Sequence, residues 1–171
     1  DCRRIIFDGP VEGGAYDPIP CAHPHPVRDL SPARSLPLRQ HIGQFLSGFP
    51  PAELAEGLRS LKVEHDAGHR RMAGHLLAWQ RAAMKKCFPD RLHAKEAKFA
   101  VRAFPKSRAG KEALRIEFTY TQKGKSFVFS YKPGEKSGAI RARYPSGYYD
   151  HSLHIEPLPE ATVLAEALFF A

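Results

Sequence analysis

From Leu114 to Glu156 apolar and polar residues alternate through most of the stretch, and a period of two fits a half-buried β-sheet and little else. Leu114, Ile116, Phe118 and Tyr120 fall on one face, while Arg115, Glu117, Thr119 and Thr121 fall on the other. Further on, Ile140, Ala142 and Tyr144 oppose Arg141 and Arg143, and Leu153 and Ile155 oppose Ser152, His154 and Glu156. Lys123-Gly124, Pro133-Gly134 and Pro145-Ser146-Gly147 supply the turns. With Phe99, Val101 and Ala103 as a first strand, the pattern predicts a five-stranded antiparallel meander over residues 97–157. Strands pairing in order would gather Glu117, Arg141, Arg143 and His154 on the wet face.

Ahead of the sheet the period changes. Six prolines and three glycines make residues 1–35 an irregular segment, because they deny it a long helix or a central strand. Residues 36–88 read as helical. Leu38, Ile42, Phe45 and Leu46 form the stripe of a first helix closed by Gly48. Leu54, Leu58 and Leu61 suggest a second helix starting near Pro51. Met72, Leu76, Trp79, Ala83 and Cys87 mark a third, with a break near Asp66 or Gly68. Residues 160–170 close the chain as a C-terminal helix with early glutamates. At 171 residues this is one α+β domain, helices first and sheet second.

The formal net charge of +8 narrows the partners to nucleic acid, another anionic surface or an acidic protein. No stretch approaches the roughly 18 apolar residues of a membrane helix, so no membrane insertion is expected, and a monomer is the expected form. Cys2 and Cys21 bracket a loop whose bridging would tie down the N-terminal segment, with Cys87 left as a thiol at the end of the third helix. That pairing, and a chain beginning at Asp1, point to a secreted protein. His23 and His25 beside Cys21, and His65 and His69 four residues apart, match no established zinc spacing; His-Asp-Ala-Gly-His lacks the glutamate of the metalloprotease motif. No metal or other cofactor is expected.

A carboxylate and an imidazole flanked by cations can cleave RNA without metal: one takes the 2′-hydroxyl proton, the other protonates the departing 5′-oxygen, and the cations hold the phosphoryl charge. Glu117 is the available carboxylate, His151 or His154 the imidazole, and Lys123, Lys125, Arg141 and Arg143 the cations.

Glu117-Phe118-Thr119-Tyr120 and Tyr148-Tyr149-Asp150-His151 resemble the catalytic Glu-Tyr-Thr and Asp-His segments of the barnase-like microbial guanyl-specific ribonucleases. The resemblance covers about forty residues. It implies Glu117 as general base and His151 as general acid; beside it, the residues themselves suggest Arg143 on the phosphoryl group and Lys123, Lys125, Arg141, Tyr148, Tyr149 and His154 as substrate-binding groups. The family carries two arginines on the strand after its glutamate, whereas Ser126 to Tyr131 has none, and lysine lacks the bidentate fork. Two expectations follow: a secreted ribonuclease-like protein that engages and cleaves RNA, or a secreted virulence effector or interaction module that keeps the fold, lacks the chemistry and binds a host protein through its tyrosines.

Overall fold

The computed structural model describes residues 5–8, 27–87, 97–108 and 110–169. The expected Cys2–Cys21 bridge, the Cys21-His23-His25 cluster and the Cys87 thiol lie outside what it describes. Ile5–Phe7 (β1) pairs in parallel with Val27–Asp29 (β2), so a short two-stranded ribbon occupies part of the segment expected to be irregular. One turn of helix, Ser31–Arg34 (α1), and Leu36–Ser47 (α2) follow, each with proline in its first turn.

The second predicted helix is corrected by the structure. Pro51–Ala55 (α3) lasts one turn, Gly57 takes the left-handed φ of 71°, and Leu58–His65 is a strand, β3. The leucine spacing concealed a period of two, in which Leu61, Val63 and His65 are buried against Ser60 and Lys62 on the other side. Its β-branched valine favours extended chain, and the left-handed Gly57 before it breaks the helix. His65 and His69 therefore share no helix: His65 Nδ1 lies 2.6 Å from the Asp66 carbonyl oxygen, and His69 Nδ1 lies 2.6 Å from Asp66 Oδ1 in a 3-10 turn. Among the described residues no group of His, Cys, Asp and Glu is placed to hold a metal, and no helix is long and apolar enough to cross a membrane.

Arg70–Cys87 (α4) carries the chain back so that Lys98–Ala103 (β4) lies parallel to β3, a βαβ crossover. On the other flank of β3, Leu114–Tyr120 (β5) runs antiparallel, followed by three hairpin steps through Ser126–Lys132 (β6), Ser137–Tyr144 (β7) and Gly147–His154 (β8). The sheet order is β4-β3-β5-β6-β7-β8. It is a mixed six-stranded sheet instead of the expected five-stranded meander, since the crossover adds a strand that the sequence pattern disguised.

One face of this sheet holds the core. Leu61, Val63, Ile116, Phe118, Phe127, Phe129, Ile140 and Ala142 meet Leu38 and Ile42 of α2 and Met72, Ala73 and Leu76 of α4. Phe118 and Phe127, cross-strand partners with ring centres 4.7 Å apart, are fully buried, and each such side chain contributes about 1.5–3 kcal/mol by leaving water. Glu160–Phe169 (α5) lies against α1 in a smaller cluster of Ala33, Val163 and Ala167. Arg34 ties that cluster down with paired hydrogen bonds to Glu160 at 2.7 and 2.8 Å and an ion pair to Asp8.

Candidate functional site

With the core on one face, the alternation obliges the other to carry the polar residues, and register lines these up in rows. The central row runs Ala100, Lys62, Glu117, Val128, Arg141 and Asp150 from edge to edge. A neighbouring row ends Ser126, Arg143, Tyr148, and the row on the opposite side includes Arg102, Glu64 and Arg115. Lys62, Lys98, Arg102, Arg115, Lys132, Arg141 and Arg143 of the strands thus outnumber Glu64, Glu117 and Asp150 on this open face. On its β7–β8 side the Arg141 side chain is 68% exposed and Tyr148 is 59% exposed. The Arg143 guanidinium sits 5.5 Å from the centre of the Tyr148 ring, and Arg141 Nε lies 3.3 Å from Asp150 Oδ2.

Glu117 is engaged. Its Oε2 lies 3.1 Å from Lys62 Nζ, which is also 3.2 Å from Glu64 Oε1. Burial opposes the lysine charge, but hydrogen bonds to Glu117 and Glu64 outweigh it and hold the Lys62 pKa above the ordinary value. Arg108 donates to Glu64 Oε2 at 3.1 Å, so two cations and two carboxylates form one connected cluster.

The structure does not bring Glu117 and His151 together. His151 pairs with Ile140, a core residue, and so points to the helix-covered side, whereas Glu117 points to the open side. There His151 lies edge-on to Phe45 with ring centres 5.8 Å apart and stacks on Tyr149 at 6.4 Å. His154 does share the open face, but three strands and two further rows separate it from Glu117, about 20 Å at ordinary sheet spacings. Its Nε2 lies 3.2 Å from Glu156 Oε2.

The predicted substrate-binding residues divide in the same way. Arg141, Arg143 and Tyr148 converge on the open face. Tyr149 is wedged edge-on against Phe45 and Phe49 on the core side, and Tyr144 is buried, so of the tyrosines around the β7–β8 turn Tyr148 is the exposed one. Lys123 stands exposed in the β5–β6 turn. Lys125 is buried, its Nζ donating to the Glu56 carbonyl at 2.7 Å and lying 4.3 Å from the Tyr120 ring centre. Sequence reasoning missed Lys62, Lys98 and Arg102. The signal was present for Lys62, since Ser60-Leu61-Lys62-Val63-Glu64 alternates as plainly as β5.

Compared with known proteins, the chain matches no family model, no curated protein and no solved structure at a significant level.

Proposed function

We propose that this protein binds single-stranded RNA across the open face of its sheet. The observation that carries the reading is the convergence of seven strand cations against three carboxylates on that face, with Tyr148 standing exposed under Arg143. A flat cationic surface neutralises backbone phosphates, and an exposed aromatic ring offers a stacking platform to an unpaired base. A sheet face cannot enter the deep, narrow major groove of an RNA duplex, which favours the single strand. Cleavage through Glu117 and His151 is not part of the proposal, because a phosphate touching one cannot reach the other through the sheet. The resemblance to guanyl-specific ribonucleases is carried into it as a likeness of scaffold.

The test is fluorescence anisotropy with a short labelled uridine oligonucleotide. Affinity should fall by about tenfold or more between about 50 and about 200 mM salt. It should fall further when Arg102, Arg141 and Arg143 are together changed to Glu. Binding indifferent to both would remove the reading.

A second reading, the interaction module, is favoured by β8. This edge strand is eight residues long and contains no Lys, Arg or Pro, the residues that usually deter edge pairing. A nuclease-insensitive protein partner released by Ser152→Pro would support it; a partner retained by that variant would count against it. Secretion remains part of both readings. Alkylation of the unreduced protein, read by mass spectrometry, should modify Cys87 and spare Cys2 and Cys21; three modified cysteines would overturn it.

A further inference from the structure

Where the β5–β6 and β7–β8 turns approach each other, the end of the sheet forms an open cavity of about 330 Å³. Lys123, Lys125 and Arg143 line it together with Gln122, and no carboxylate does. The turn chemistry builds it. Gly124 takes a left-handed φ of 84°, the conformation that lets the β5–β6 turn close beside Arg143. Lys125 contributes a fixed charge, anchored by the Glu56 carbonyl, while exposed Lys123 and Arg143, the latter resting over the Tyr148 ring, line the solvent side. Burial depresses the Lys125 pKa and the charges of Glu56 and Glu53 offset only part of that. An anion in the cavity would supply the rest. Glu53 is itself directed elsewhere, accepting from Ser146 N–H and Oγ at 3.1 and 2.7 Å.

We propose that this cavity seats the terminal phosphate of an RNA strand lying on the open face; the inference rests on the RNA-binding reading. An internal phosphodiester carries one negative charge, whereas a terminal phosphate monoester carries nearly two at neutral pH and offers three acceptor oxygens. The cations of the open face are spread singly along its rows and suit successive diesters. Three cations drawn around one cavity suit the monoester. Arg143 belongs to both, standing in the last row of the face and in the cavity wall, so a strand running along β7 towards the turns ends there.

The experiment compares three internally labelled uridine oligonucleotides of one length: one with a 5′-phosphate, one with a 3′-phosphate and one with hydroxyls at both ends. One of the two phosphorylated ends should strengthen binding by about tenfold, the gain from one added set of charge-assisted hydrogen bonds, and the arm that gains identifies the end. Lys123→Ala, an exposed turn position off the open face, should abolish that difference while leaving the binding of the hydroxyl-ended strand. Equal affinity of all three for the wild-type protein overturns the terminal-phosphate site and leaves the open-face reading standing. A gain that survives both Lys123→Ala and Arg143→Ala overturns the site as well. Failure of every oligonucleotide to bind at low salt removes both.

Discussion

Lys62 Nζ lies 3.1 Å from Glu117 Oε2 across the β3–β5 pair, at the centre of the open face and with both side chains less than a third exposed. A carboxylate so placed acts as counter-ion to a cation that the face would otherwise present to an anion. Glu117→Gln should therefore raise affinity for single-stranded RNA by about two- to fivefold, the equivalent of one weakly screened charge. A general base would behave differently, with unchanged affinity and lost cleavage. Anisotropy titration decides, and a fall in affinity would contradict the counter-ion role.

Tyr148, Arg143 and His151 separate the two faces of the sheet functionally. Tyr148→Ala should weaken RNA binding by about tenfold, the loss of one base–aromatic stack. Arg143→Ala should reduce the slope of log affinity against log salt by about 0.7, one phosphate contact on a single strand. His151→Ala should alter neither quantity, because its ring packs on Phe45 on the other side. A His151 effect matching that of Tyr148 would mean that RNA engages the β8 edge and not the open face.

Gly57 is where α3 gives way to β3, and its φ of 71° is one that residues with a side chain rarely adopt. A Cβ there would also lie 2.5 Å from Thr121 Oγ1, on the residue whose N–H donates to the Gly57 carbonyl at 2.7 Å. Gly57→Ala should cost about 1–3 kcal/mol in urea unfolding. Adding Thr121→Ala should recover part of the loss by removing the clash while the backbone strain remains. No recovery would place the whole cost in the backbone.

Tyr120 and Tyr144 sit at the closed end of the core, their hydroxyls 3.5 Å apart, with Tyr120 donating to the Leu54 carbonyl. Burial raises the pKa of Tyr120 to about 12 and that of Tyr144 further still, and it also raises that of Tyr131. A phenol whose pKa is higher folded than unfolded lends stability that is fully present below pH 10 and is lost as pH rises through the folded value. Alkaline difference absorbance should show Tyr120, Tyr131 and Tyr144 ionising above the ordinary tyrosine range. Stability measured in urea should decline from about pH 10 upward. Ionisation of all tyrosines in a single step near pH 10 would contradict the packing of this cluster.

Much of the architecture is legible in local pattern. The strands β5, β6 and β7, the turns between them, α2, α4 and α5 each occupy a stretch whose period, caps and glycines agree with one another. β3 was not legible as a strand because Leu54, Leu58 and Leu61 fit a helical stripe and Leu61, Val63 and His65 fit a strand. Leu61 belongs to both patterns, and only pairing with β4 and β5 selects between them. The site was legible in part. Arg141, Arg143 and Glu117 could be assigned to one face by counting within their strands. His151 was linked to Glu117 by its motif, and motif adjacency carries no information about which side of a sheet a residue takes.

What the sequence determined by itself is parity. Within a strand, successive side chains must point to opposite faces, so the division of Leu114 to Tyr120 into a buried and a wet set needs no partner. What only the tertiary structure decided is how the parities of different strands are joined. Register sets His151 beside Ile140 and Asp150 beside Arg141, and a shift of one residue would exchange them. The same holds for Lys123, Lys125 and Arg143, distributed over two hairpins and assembled around one cavity only because β5, β6, β7 and β8 stack in order. Hydrogen bonding between strands is indifferent to side-chain identity. It is the burial of Phe118, Phe127, Phe129 and Ile140 under α2 and α4 that selects one register, and with it the composition of the face left open to solvent.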